Sequence, residues 1–171
     1  MNEGSDQQEA TARDASITCD PAPLSVQSYL EMLAAPTTEA GSGSAGCIVL
    51  AMAFGCLEKA AALTFKHHPD RTALAGLIGQ LARLRRQSLD AAADEATCFA
   101  EFTRESSATN APVLAQAERT ALSLTARATE MAEQLDELVD DSGRGDLIAA
   151  RALVQAATII LQSNAGEGAG A

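Results

Sequence analysis

Residues 41–67 read GSGSAGCIVLAMAFGCLEKAAALTFKH, a glycine–serine hexapeptide running straight into a long apolar segment. The hexapeptide, Gly41-Ser42-Gly43-Ser44-Ala45-Gly46, fits the pattern G-x-G-x-x-G by which a loop cradles a dinucleotide pyrophosphate. That chemistry needs a buried strand entering the turn, a helix leaving it and an acidic residue about twenty positions on. What enters this turn is helical. Val26, Tyr29, Leu30 and Leu33 recur at i, i+3, i+4 and i+7 behind Ser25, which stands where an N-cap belongs. No strand pattern flanks the glycines, the next acid, Glu58, lies inside the apolar segment, and no Gly-Lys-Ser/Thr follows as in a P-loop. The glycines therefore open a helix rather than a nucleotide site. The free N–H groups and dipole of that helix start favour an anion or a developing negative charge, unless Ser44 only caps the helix and the glycines only let it pack closely.

The segment 44–67 is apolar on nearly every side, so it is either the central helix of a bundle or a membrane span. Only residues 46–57 run uninterrupted as an apolar segment before Glu58 and Lys59, and no basic flank precedes them; burial is the better reading. Pro69-Asp70 restarts the chain. Leu74, Leu77, Ile78, Leu81, Leu84, Leu89, Ala92, Ala96, Phe99 and Phe102 then carry a helical stripe to about residue 106. Asn110 and Pro112 read as cap and first-turn proline of another helix, with Leu114, Ala121, Leu124, Ala128, Met131 and Leu135 on its stripe and the 140–145 stretch DDSGRG at its end. A last helix runs from Asp146 to about Asn164, with Gly166 as its stop.

Composition agrees with the pattern. The 171 residues are 47% hydrophobic but only 3% aromatic, with no Trp and an excess of alanine, which favours helix throughout. The expectation is one all-α domain over 24–165: a bundle of about five helices around a long, buried, Ala/Gly-rich central helix. Residues 1–23 are expected to be a disordered tail and 166–171 a flexible one. The second helix carries more apolar surface than its Ala-rich neighbours can cover, which predicts a homodimer.

A net charge of −11 excludes a nucleic-acid partner, since phosphate binding needs a basic stripe. Arg83, Arg85 and Arg86 read as a solvated helix face. Cys19, Cys47, Cys56 and Cys98 form no C-x-x-C pair and have no histidine at zinc spacing, so no metal site is written in them; Cys47, Cys56 and Cys98 are expected in the core. The start, MNEGSDQQEATARD, lacks the basic and apolar regions of a signal peptide, which predicts a cytoplasmic protein not associated with a membrane. His67-His68 fits a solvated helix end, and Glu101, Arg104 and Glu105 have salt-bridge spacing.

Pro36-Thr37-Thr38-Glu39-Ala40-Gly41-Ser42-Gly43-Ser44, in register with an Ala-rich helix that reaches Leu63-Thr64, resembles the signature P-T-P-A-P-G-G-G-S of the cyclodeaminase/cyclohydrolase family. That family includes the cyclodeaminase domain of formiminotransferase-cyclodeaminase and stand-alone methenyltetrahydrofolate cyclohydrolases. Asp94-Glu95-Ala96-Thr97-Cys98-Phe99 is similar to the family's acidic stretch before an aromatic, Gly145-Asp146 falls where the family has Ser-Asp, and Asn164 stands eighteen residues further on, as the family's Asn does. Thr38 and Ala40 stand in place of prolines, and Ser42 in place of the middle glycine.

The resemblance implies a helical dimer with a folate groove beside the glycine loop, a tetrahydrofolate derivative as substrate, and no tightly bound cofactor or metal. It implies Asp146 as the acid/base at a C–N bond, with Gly41, Ser42, Gly43, Ser44 and Asn164 contacting the ligand; Asp146 and Asn164 also fit ordinary helix caps. Two other readings stay open. One is a relative that performs a cyclisation or hydrolysis on a non-folate substrate, and the other is a non-catalytic helical scaffold.

Overall fold

A computed structural model describes residues 25–104 and 110–168. Five helices follow one another: α1 (Val26–Ala34), α2 (Ser42–His67), α3 (Thr72–Arg104), α4 (Ala111–Asp136) and α5 (Asp141–Gly168). Among the described residues there is no strand. The expected tail 1–23 and the end of the third helix beyond Arg104 lie outside the described residues.

The apolar segment is the axis of the bundle. α2 packs against α3, α4 and α5, and buries Cys47, Leu50, Phe54 and Leu57 completely. Ala53, Ala60, Ala61, Ala92, Ala150 and Ala157 also lie in the core, and such short side chains allow helix axes to approach closely. α5 runs antiparallel to α2, since Ser42 meets Asn164 at one end and Lys59 meets Asp146 at the other. A Cβ on Gly143 would lie 2.7 Å from the Ala60 carbonyl oxygen, so at that crossing only glycine fits. α1 is short and touches the bundle through Tyr29, whose hydroxyl lies 3.3 Å from Ser44 Oγ. Ser25 caps α1 as expected, accepting the Ser28 N–H at 3.1 Å.

Three boundaries differ from the sequence reading. α2 begins at Ser42, with Gly41 as its cap, so Ser44 lies inside the first turn and donates its hydroxyl back to the Gly41 carbonyl at 3.0 Å. Asn110 precedes α4 in helical conformation and makes no side-chain cap bond, although Pro112 does lie in the first turn.

The third difference bears most on the site. α5 starts at Asp141 rather than Asp146, and continues through Gly166 to Gly168. The cause is Asp140, whose carboxylate accepts the Ser142 N–H at 3.0 Å and the Thr64 hydroxyl at 3.2 Å. That cap, and the fit of Gly143 against α2, outweigh the poor helix propensity of DDSGRG. Asp140 also faces His67 Nδ1 at 3.6 Å and His68 Nε2 at 3.2 Å, joining the end of α2 to the start of α5.

By length and composition both α2 and the 141–165 part of α5 could cross a bilayer; α2 instead lies among three neighbours. Large apolar side chains left exposed occur on α1 (Val26 and Leu30), on α4 (Val113) and on these same two helices. Met52 on α2 is 48% exposed, and Ile148 and Ile159, three turns apart on α5, are each 61% exposed.

Candidate functional site

The cap at Gly41 is extended, and the first turn of α2 carries no acidic side chain of its own to satisfy its free N–H groups. A carboxylate from another helix fills that role. Glu95, on α3, is only 3% exposed and accepts the backbone N–H of Ser44. Its Oε1 occupies the space a side chain on Gly43 would need, and Asn164 Nδ2 lies 3.0 Å from that same position. Glycine at residue 43 is thus what lets a carboxylate and an amide converge on the helix start.

Oε2 of Glu95 is buried and has no hydrogen-bond partner among the described residues. A carboxylate so placed is costly unless something else meets it. Beside it opens a cavity of about 280 Å³, with Gly41, Ser42 and Gly43 on one wall and Glu95, Phe99 and Phe102 on the next. Ala111, Leu114, Ala115 and Glu118 from α4, and Asn164 from α5, complete it. Its mixture of apolar surface and a few convergent polar groups suits a flat ring with polar edges. The groove around Cys98 and Thr120, between α3 and α4, has no buried charge.

Burial pushes the Glu95 carboxyl up to about 7; the Ser44 N–H opposes this and the Glu118 carboxylate adds to it. Glu118 itself is held above the usual carboxylate range by burial, against the pull of Arg119. Cys47, fully buried under the same helix start, has its thiol pushed up to about 12 by burial and by Glu95. A carboxyl that titrates near neutrality can both take and give a proton at physiological pH, as a general acid–base requires.

The residues expected at the site divide into two groups. Gly41, Ser42, Gly43 and Asn164 line the cavity, and Ser42 Oγ donates to Asn164 Oδ1 at 2.8 Å. Ser44 contributes its backbone N–H from just behind. Ser42 is helical, so its β-carbon meets no backbone objection where the resembled signature has glycine. Asp146 is elsewhere: it lies in the second turn of α5, eighteen residues or about 27 Å of helix from Asn164, and pairs with Lys59 at 3.0 Å. Within one chain the structure does not bring it to the cavity. Cys56 and Cys98 are half-buried rather than core.

Sequence reasoning assigned no role to Glu95 or Glu118. The signal was there: each acid falls on the buried stripe of its helix, Glu95 between Ala92 and Phe99, and Glu118 between Leu114 and Ala121.

No family model and no curated protein matches this sequence. Among solved structures, the chain is similar in fold to a formiminotetrahydrofolate cyclodeaminase from Thermotoga maritima, with a TM-score of 0.80 at 18% sequence identity, over 85% of this chain and 78% of that one. The all-α bundle expected from the sequence is therefore this chain's fold, and it is one that a folate cyclodeaminase also uses.

Proposed function

We propose that this chain is a folate-dependent enzyme acting on C–N bonds, of the methenyltetrahydrofolate cyclohydrolase or formiminotetrahydrofolate cyclodeaminase type. The observation that carries the reading is Glu95: a buried, half-unpartnered carboxyl beside an open helix start and a ring-sized cavity. Its occurrence in a bundle similar to a formiminotetrahydrofolate cyclodeaminase supports the substrate class. The acid–base role expected of Asp146 passes in this reading to Glu95.

Ionised Glu95 accepts the proton that water sheds as its oxygen adds to the methenyl carbon bridging two folate nitrogens. The carboxyl returns that proton to nitrogen as one C–N bond breaks, and the hydroxyl proton leaves to solvent as the carbonyl forms. With a formimino substrate the same carboxylate takes the proton from the second folate nitrogen as that nitrogen adds to the formimino carbon, and delivers it to the ammonia that departs as the exocyclic C–N bond breaks. The N–H groups at the start of α2 hold the developing oxyanion, and Phe99 and Phe102 supply flat apolar walls for the pterin. Loss of methenyltetrahydrofolate absorbance with purified protein tests the reading; a rate equal to that of buffer ends it.

Ser42 favours a second reading, a related reaction on a non-folate substrate. Its hydroxyl reaches the cavity wall and engages Asn164, so the ligand-facing surface differs from that of a three-glycine signature. The exposed Met52, Ile148 and Ile159 on adjoining helices support a homodimer through α2 and α5. Sedimentation of the wild type against Ile148→Asp tests it, with a monomeric wild type as the contrary result.

A further inference from the structure

The cavity contains a second acid that the proposed proton transfer does not use. Glu118, on α4, is 9% exposed and lines the same wall as Leu114. No lysine, arginine or histidine is among the lining residues. α2 contributes N–H groups and no acidic side chain in its first turn, and α5 contributes the neutral Asn164. On α3 the facing charge is Glu95, while Asp94 and Glu101 are exposed; on α4 it is Glu118, whose neighbour Arg119 is exposed and bonded to Gln116. Among the described residues, two buried acids therefore face one cavity with no cation between them.

Such a pair raises the cost of its own ionisation, and the guest that relieves this cost carries positive charge. The rings of Phe99 and Phe102 add to the preference, because the face of an aromatic ring attracts a cation. One carboxylate is enough to move a proton. The second acts on which guest is held.

We propose that Glu118 is a specificity-determining residue of this cavity: with Glu95 it makes the pocket favour a guest carrying a protonated or quaternised nitrogen over a neutral guest of the same shape. The natural guest follows from the folate reading, on which this inference rests for that choice alone. The methenyl carbon of a folate is cationic and its formyl counterpart is neutral, so Glu118 discriminates substrate from product as well as one ligand from another.

The test is calorimetric titration of the full chain, its Glu118→Gln variant and its Glu118→Asp variant with two pairs of probes. One pair is methenyltetrahydrofolate against 5-formyltetrahydrofolate; the other, independent of folate, is benzamidinium against benzamide. The wild type and Glu118→Asp are expected to prefer the cationic member of each pair. Glu118→Gln, isosteric and relieved of a buried charge, is expected to fold with undiminished thermal stability and to lose about tenfold or more of that preference, with the neutral member bound as before. Glu118→Gln retaining the wild-type preference overturns the role of Glu118, as does a wild type that prefers neither cation. A wild type that prefers benzamidinium yet binds neither folate overturns the folate reading and leaves Glu118 its role.

Discussion

Glu95 Oε1 lies where the side chain of residue 43 would be, so the acid and the glycine are one feature built from two helices. Gly43→Ala is expected to destabilise the protein by about 1–3 kcal/mol, the usual cost of overpacking a filled interior. In a Glu95→Ala background the same change is expected to cost much less, because the space is then free. Denaturant unfolding of the four-member cycle checks this; an equal cost in both backgrounds would separate the two residues.

Glu95 also carries a pH signature. Its carboxyl is pushed from 4.5 to about 7 in the folded chain, so between those values the native state holds a proton that the unfolded state has released. Stability attributable to this residue is therefore intact below pH 4.5, falls as pH rises towards 7, and is lower by about 3 kcal/mol beyond it. Glu95→Gln removes this slope. Unfolding free energies of both proteins from pH 4 to 8 are expected to diverge in favour of the variant as pH rises; parallel curves would place Glu95 in a wetter setting.

Activity separates the two candidate acids. Glu95→Gln is expected to lower kcat by about 10²–10⁴-fold, the range general acid–base groups supply. Asp146→Asn is expected to leave kcat unchanged and to cost at most about 1 kcal/mol of stability through the exposed Lys59 pair. Steady-state kinetics on methenyltetrahydrofolate decide it, and an equal loss in Asp146→Asn would mean that a second chain brings Asp146 to the cavity.

At the other end of the bundle the sign reverses. Asp140 is held down from 3.8 to about 2, chiefly by the Ser142 hydroxyl, with Thr64, the Ser142 N–H and His67 assisting. Its contribution is present above 3.8 and is lost as pH falls towards 2. Asp140→Asn is expected to be less stable than the wild type at neutral pH and to lack this acid limb, as thermal unfolding at pH 2 to 5 would register.

Much of the fold was legible because α2 is apolar all round and its neighbours are not; a helix that needs burial on every side specifies a bundle about itself. The α5 start was not legible. DDSGRG reads as a break by propensity, and only the contacts of Asp140 with Thr64 and of Gly143 with Ala60, made across the bundle, turn it into helix. The glycine loop and Asn164 are site residues through the family resemblance, since local pattern alone also fits a helix start and a helix end. Glu95 stands out in the sequence only as part of the acidic stretch and Glu118 not at all, because acids sit on most helices; what sets these two apart is their register against the apolar stripe, and the cavity that register creates is a property of helices packed together.

Cys47 lends the site a built-in reporter. Its thiol is sealed beneath the start of α2 and held in the unreactive form, whereas Cys56 and Cys98 are partly open to solvent. Alkylation of Cys47 must therefore wait for the core packing around it to open. The labelling rate of this one sulfur counts how often the packing around the start of α2 opens, and a guest that bridges α2 to Glu95 is expected to slow it.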